Sequence, residues 1–414
     1  MNENSIKNQN RIKLALKLYP FYEAASGDML FFSVIETLFL MQVKGFLAPD
    51  IALILFITHF SDLILEYPSY IIIRQIGNGI AGRVGGIMPL IGILFITFGQ
   101  SQSAVIIGNI FCVGAVNFQS AASAGARNNL VKLGEKGKYA ELFSKSNVIY
   151  TAVSMAAALF IPFLYSLNKY VPSVLCIITF LGITIISFFL KDFTEKEHSN
   201  LPLHLTKNNY SLGKIGRRFI FLIIVFCLFF CAGGVFAKNT EVFLGKYLGE
   251  LFTEKQTIFV FGAVIWVSRF LRLIVNIFLP KILKFLKENI VTLSAYSIAA
   301  AFLSIGASGI FFGKTIHPII IAGTAYIIIR GIIWDPMRTY LRMSAIDINN
   351  KQRQQTMIVL LNAGQSIVCV VMDLIVVSIL KLFSLEYVFL AFALISIVII
   401  IYSIMLKREL KSIE

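Results

Sequence analysis

Long apolar runs recur along the whole sequence and restrict what this chain can fold into. Each run has roughly the 18 to 25 residues that a helix needs to cross about 30 Å of hydrocarbon. In lipid, every backbone polar group must be bonded within the protein, and a helix achieves this within its own segment. The sequence therefore predicts twelve transmembrane helices, at 19–42, 51–73, 84–101, 104–126, 147–167, 171–190, 219–243, 257–280, 289–311, 317–337, 355–380 and 385–406.

Composition and motifs exclude several other classes of protein. With 57% apolar residues, 14% charged residues and a mean hydropathy of +0.80, the chain does not read as a soluble domain. All 5 cysteines lie in apolar runs without a CxxC or Cys/His pattern, so neither a disulfide framework nor a zinc site is indicated. HExxH, GxSxG and phosphate-loop motifs are absent. We therefore expect no enzyme activity, no metal site and no cofactor.

The positions of the basic residues predict the topology. Of the 37 Lys and Arg residues, 27 fall in alternate polar segments that include both ends of the chain, and only 6 fall in the other segments. Lys and Arg concentrate on the cytoplasmic side of membrane proteins, so both termini should be cytoplasmic. The net charge of +15 follows from this topology. We expect a multi-pass protein of the plasma membrane, with the lipid bilayer rather than nucleic acid as its partner.

Two short stretches carry a resemblance to a known family. Glu66-Tyr67-Pro68-Ser69, followed by Gly77 and a basic turn, resembles the region between the second and third helices of major facilitator superfamily transporters. Residues 123–147 are similar to a cytoplasmic loop of bacterial members. The family usually has Gly where Tyr70 stands and an acid where Arg74 stands. The signature positions of this cytoplasmic loop are Pro68, Arg74, Gly77 and Arg83, and Arg74 departs from the family's usual acid.

Six of the apolar runs precede the longest polar stretch, residues 191–218, and six follow it. The resemblance implies two six-helix bundles with the substrate between them. We accordingly predict an N-terminal bundle at 1–190, a cytoplasmic linker at 191–218 and a C-terminal bundle at 219–414, in a monomer.

Ionisable residues inside the apolar runs indicate functional positions, because lipid cannot solvate them. His59, Asp62 and Glu66 share one face of the second predicted helix, and Arg269, Arg272 and Asn276 have similar spacing in the eighth. One interpretation is that the acids take up protons or a cationic group while the arginines bind an anionic group. The other is that the two stripes pair as a gate.

Asp28 follows Ser26-Gly27 near the middle of the first predicted helix and is the strongest single candidate for proton coupling. The alternative is a carboxylate permanently paired with Lys or Arg. His59 could join the coupling or simply form a structural hydrogen bond. The candidates for proton coupling are Asp28, Asp62, Glu66 and His59.

Arg330 lies among isoleucines without an acid one turn away, so it needs a partner from another helix or from a ligand. Lys238 could contact substrate or be neutralised by Glu241. The amides of Asn117, Gln119 and Gln365 could bind substrate or join helices. The candidates for substrate binding are Arg330, Arg269, Arg272, Lys238, Asn117, Gln119 and Gln365.

These observations predict a secondary active transporter that exports a small amphipathic or zwitterionic solute by alternating access, driven by an ion gradient, with protons as the expected ion. Uptake of an organic anion or metabolite through a basic cavity is the first alternative. A membrane-embedded enzyme or a non-transporting sensor is the second.

Overall fold

The computed structural model describes residues 3–26, 29–135, 138–191, 217–347 and 354–411, and these ranges contain no β-strand. Its α-helices are, in chain order, α1 (Glu3–Ser26), α2 (Glu36–Gln42), α3 (Ala48–Ile76), α4 (Asn78–Phe98), α5 (Gln102–Lys132), α6 (Tyr139–Leu167), α7 (Val171–Ser187), α8 (Arg217–Leu251), α9 (Glu254–Leu286), α10 (Asn289–Phe312), α11 (Ile316–Tyr326), α12 (Trp334–Asp347), α13 (Gln354–Leu382) and α14 (Leu385–Lys411).

Helix length and composition agree with a membrane protein. Within the described ranges, 10 helical segments are long and apolar enough to cross a membrane, and α7 is a shorter apolar helix. The prediction of an all-α, multi-pass membrane protein is confirmed. The count of twelve helices and the cytoplasmic position of the termini stay predictions.

The first predicted span, 19–42, is not one continuous helix. α1 ends at Ser26 and α2 begins only at Glu36. Between them the amides of Phe32 and Ser33 both donate to the carbonyl of Met29, each at 2.7 Å. The bond from Phe32 spans three residues rather than the four of a regular α-helix, so turns lie within the predicted span 19–42.

The chain divides into two compact units. The N-terminal unit comprises Met1–Ile35 and Phe60–Ser211, and the C-terminal unit comprises Glu36–His59 and Leu212–Glu414. In this division residues 36–59 are grouped with the C-terminal helices. The predicted ranges 1–190, 191–218 and 219–414 stay a prediction.

Small residues bring α4 and α5 together in the N-terminal unit. A Cβ atom at Gly85 would lie 2.7 Å from the backbone nitrogen of Gln119, and one at Gly82 would lie 3.3 Å from the Cβ of Ala122. Such contacts are typical of helix interfaces in membranes. Gly77 joins α3 to α4 by a single residue with a φ of 80°, a conformation that favours glycine.

Aromatic side chains fill the core of the C-terminal unit between α8, α10 and α14. The rings of Phe236 and Phe302 meet edge to face at 5.3 Å, and those of Phe243 and Phe389 at 5.5 Å.

The loop before α3 carries Lys44, whose ammonium group lies 5.4 Å from the Phe39 ring centroid. Partial burial lowers the pKa of Lys44.

The tenth predicted span, 317–337, contains an irregular turn. Residues Ile327–Ile333 form a π-helix between α11 and α12. Gly331 permits a close approach there, because a Cβ at this position would lie 2.8 Å from the carbonyl oxygen of Ser268 on α9. π-Helical turns inside α-helices occur frequently at functional sites.

Candidate functional site

A cluster of charged and hydroxyl groups joins α2, α8 and α11 in the C-terminal unit. The Lys238 Nζ donates to Glu36 Oε2 at 2.7 Å and lies 3.5 Å from Glu241 Oε2. Thr37 Oγ1 donates to Glu241 Oε2 at 2.9 Å, and the Tyr326 hydroxyl donates to Glu241 Oε1 at 3.0 Å. We call Glu36, Thr37, Lys238, Glu241 and Tyr326 the α8 cluster. Both carboxylate oxygens of Glu241 are bonded, as groups in a membrane interior must be.

Close helix packing positions this α8 cluster. Gly245 on α8 faces α2, since a Cβ at Gly245 would lie 3.1 Å from the sulfur of Met41. The sequence offered Glu241 as the neutralising partner of Lys238, and the structure adds Glu36 as a nearer one. Lys238 is therefore held by two carboxylates in this structure.

Arg272 is paired within the C-terminal unit. Its Nε and Nη2 donate to the two carboxylate oxygens of Asp335 on α12, at 2.6 and 2.7 Å. Asn276 Nδ2 donates to the same carboxylate at 2.7 Å. This bidentate geometry is the strongest arrangement of an arginine and a carboxylate. Arg269, from the same predicted stripe, lies near enough to Tyr326 to act on it electrostatically.

Arg330 has a different environment. It lies in the π-helix, and its guanidinium is 4.9 Å from the ring centroid of Trp334. Across the described ranges, no hydrogen bond or ion pair joins Arg330 to a carboxylate. Trp334 packs edge to face on Phe230 at 4.9 Å and against Gly233, where a Cβ would overlap the indole ring. Among the described residues, Arg330 thus has an aromatic neighbour and no carboxylate partner.

His59 on α3 contacts Asp373 on α13, and both belong to the C-terminal unit. The His59 side chain is 41% exposed, whereas that of Asp373 is 9% exposed. Asp373 lies one helical turn beyond Cys369, whose thiol is 2.8 Å from the thiol of Cys231 on α8. The backbone oxygen of Gln365 accepts from that Cys231 thiol at 3.2 Å, and the Gln365 side chain is half-buried.

The N-terminal unit contains the remaining polar candidates. Asp62 and Glu66 are half-buried on α3 and close enough to interact electrostatically. Gln119 Nε2 donates to the carbonyl of Gly85 at 2.9 Å and so joins α5 to α4. Its Oε1, and Nδ2 of Asn117, are buried without a hydrogen-bond partner among the residues that the structure describes. Asp28 lies outside the described residues.

The signature residues lie around the junction of α3 and α4. Pro68 and Arg74 are exposed on the second half of α3, before Gly77. Arg83 lies on α4 with its guanidinium 5.5 Å from the Phe188 ring centroid. The Nε atom of Arg83 is buried and has no hydrogen-bond partner in the described part of the chain.

The structure identifies three bonded acids that are not among the candidates predicted from the sequence. Glu23 accepts from Ser123 at 3.1 Å, Asp373 meets His59, and Glu386 accepts from Tyr247 at 2.8 Å. Asp373 lies inside a predicted span, so the criterion that selected Asp62 would also have selected it. Over the described residues, no group of three or more His, Cys, Asp or Glu side chains could hold a metal ion.

Comparisons with known proteins place these observations in a known fold. No protein-family model matches the sequence. No curated protein matches it either. Among solved structures, a mutant of the nucleoside transporter NupG aligns with a TM-score of 0.70 at 12% identity, over 95% of this chain and 99% of that chain. The chain has the major facilitator fold.

Two further structures with the major facilitator fold agree. The peptide transporter POT, in complex with alafosfalin, aligns with a TM-score of 0.67 at 12% identity, over 96% of this chain and 94% of that chain. A bacterial homologue of the iron transporter ferroportin, in an inward-facing state, gives 0.59 at 15% identity, over 97% and 100%. The resemblance read from the sequence is confirmed at the level of the fold.

Proposed function

We propose that this chain is a secondary active transporter of the cell membrane that moves a small amphipathic or zwitterionic solute by alternating access. Protons are the coupling ion in this proposal, with Asp28, Asp62, Glu66 and His59 as the candidate carriers. Both termini are cytoplasmic and the transport direction is export. The fold supports the general class, since the aligned structures are transporters for nucleosides, peptides and iron.

The observation that carries the proposal is that Arg330 has no carboxylate partner among the residues that the structure describes. Lys238 and Arg272 meet carboxylates of the protein, whereas Arg330 meets the face of Trp334. An arginine in a membrane-spanning segment without a carboxylate is costly, and an anionic ligand would offset that cost. Arg330 is therefore the proposed contact for an anionic group of the solute.

The surroundings of Arg330 suggest the chemical character of the remainder of the solute. Trp334, Phe229 and Phe230 form an aromatic group beside the guanidinium, with Trp334 within 6.1 Å of both phenyl rings. Such rings bind apolar or planar groups. An anionic group attached to an apolar body, with or without an amine, satisfies both features.

Uptake of an organic anion is a second candidate, favoured by the same uncompensated arginine. The two candidates differ in direction and in the charge of the solute. Both predict that Arg330 contributes to binding.

Proteoliposomes containing the purified protein test the proposal. We would measure counterflow of a panel of cationic, zwitterionic and anionic compounds, and then solute-linked proton movement with the pH gradient imposed in either direction. Counterflow of an anionic or zwitterionic compound is expected, weakened about tenfold or more in Arg330→Ala, because contacts to charged groups contribute about 1.5–3 kcal/mol.

Arg408→Ala is the matched control, because Arg408 is exposed near the end of α14. Arg330→Lys retains the positive charge and so distinguishes the loss of that charge from a folding defect. Counterflow restricted to cationic compounds, or unaffected by Arg330→Ala, would contradict the proposed substrate contact. No counterflow of any compound would contradict transport of this solute class.

A further inference from the structure

The contact between His59 and Asp373 joins two helices that are far apart in sequence. His59 lies in the first half of α3 and Asp373 in the middle of α13. The two residues are 314 positions apart along the chain, and a ring nitrogen of His59 contacts the carboxylate of Asp373. Among described residues, His59 is the hydrogen-bonding and ion-pairing partner of Asp373.

Titratable groups lie near the pair on α3, α8 and α13. Asp62 follows His59 by three positions on α3. Cys369 lies one helical turn before Asp373 on α13, and its thiol contacts that of Cys231 on α8. Among the described residues, these neighbours of the pair are one carboxylate and two thiols.

The His59 side chain is more exposed than that of Asp373. Asp373 is nearly enclosed, whereas His59 is 41% exposed and can exchange a proton with its surroundings. A carboxylate beside neutral imidazole has a net charge of −1, and one added proton brings the pair to zero. The imidazole group is the side chain whose ordinary titration falls between about pH 5 and 8.

We propose that His59 and Asp373 together hold the coupling proton, with Asp373 as the carboxylate that the sequence reading did not identify. This inference rests on the proposed transport function and narrows its candidate carriers. The proton binds to the exposed His59 ring, and the negative charge of the enclosed Asp373 carboxylate retains it there. Loss of the proton weakens the tie between α3 and α13, because the neutral ring no longer compensates Asp373.

Infrared spectroscopy tests the pair without any solute. We would record pH-difference spectra of the purified full-length protein in lipid nanodiscs between about pH 5 and 8, where imidazole ordinarily titrates. Asp373→Asn and His59→Gln should each remove the same component from the wild-type difference spectrum. Glu250→Gln and His317→Gln, both exposed in the structure, are the matched controls and should retain it. A wild-type spectrum that persists in Asp373→Asn would overturn the proposal.

Transport measurements separate this inference from the proposed function. In proteoliposomes, the ratio of proton-driven accumulation to counterflow should fall at least tenfold in both variants. An unchanged ratio in either variant would overturn the assignment of the proton to the pair. If wild-type protein shows no counterflow, the proposed function fails, and the infrared result alone decides whether the pair binds a proton. Thermal unfolding of each variant identifies a folding defect, and His59→Gln serves as the second variant if Asp373→Asn does not fold.

Discussion

Lys238 Nζ lies 2.7 Å from Glu36 Oε2, although the two residues are 202 positions apart in the sequence. This contact ties the short helix α2 to α8, and Glu241 completes the charge balance from the next turn of α8. Residues 36–59 are grouped with the C-terminal unit, to which α8 also belongs.

Removing Lys238 should destabilise the C-terminal unit. Lys238→Met leaves the carboxylates of Glu36 and Glu241 together without a cation, and breaking a buried pair costs about 3 kcal/mol or more. Thermal unfolding in detergent would show a clear decrease in Tm. The double variant Lys238→Met/Glu36→Gln should regain part of the loss, since one of the two carboxylates is also removed. Lys255→Met, at an exposed position, is the control. Equal Tm values for wild type and Lys238→Met would contradict the structural importance of the α8 cluster.

Replacing Arg272 by lysine should weaken the tie between α9 and α12. A lysine keeps the charge but cannot donate two parallel hydrogen bonds to Asp335. We expect a loss of about 1–2 kcal/mol, as for one charge-assisted hydrogen bond, measured by thermal unfolding. Lys284→Arg, exposed near the end of α9, controls for exchange of the two residue types. Should Arg272→Lys unfold at the wild-type temperature, the bidentate pair contributes little.

Gly233 and Gly234 offer a matched pair of substitutions beside Trp334. A Cβ at Gly233 would overlap the indole ring, whereas a Cβ at Gly234 meets nothing within 4 Å. Gly233→Ala should therefore displace Trp334 and cost about 1–3 kcal/mol, the usual range for overpacking. Gly234→Ala should be neutral or stabilising.

Tryptophan fluorescence detects this displacement. The chain has 2 Trp residues, so a Trp266→Phe background isolates the emission of Trp334. A shift of that emission in Gly233→Ala, absent in Gly234→Ala, is expected. Identical spectra would mean that the ring does not lie against Gly233.

The hydroxyl of Tyr247 should stabilise the start of α14. It donates to Glu386 Oε1 at 2.8 Å, and Lys246 Nζ lies 3.0 Å from the same oxygen. Tyr247→Phe removes one hydrogen bond from a carboxylate that is 7% exposed, and we expect a loss of about 1–3 kcal/mol. Tyr387→Phe, at a residue that is 46% exposed, is the control. Unfolding temperatures that fall equally in both variants would contradict a specific role for Tyr247.

The sequence predicted the class of fold through features that act locally. The apolar run that contains Asp62, for example, lies within the single helix α3. Glu241 was identified as a possible partner of Lys238 because residues three apart share a helix face. Such relations depend only on helix geometry, so they can be derived without the fold.

Other features of the candidate site could not be derived in this way. The break between α1 and α2 depends on tight turns around Met29, and the π-helix lies where Gly331 approaches Ser268. Neither has a strong signature in the sequence. The interpretation of the Arg272 stripe was open, and the structure pairs Arg272 with Asp335 within one unit.

The sequence by itself determined that this chain is a bundle of membrane-crossing helices, because hydrocarbon forces each apolar run to satisfy its own backbone. Only the tertiary structure decided which charges meet. Glu36 reaches Lys238 and His59 reaches Asp373 across 202 and 314 positions. Helix periodicity relates residues a few positions apart, whereas these contacts depend on the packing of separate helices. Packing also left Arg330 beside Trp334 without a carboxylate in the described ranges, and on that arrangement the proposed function depends.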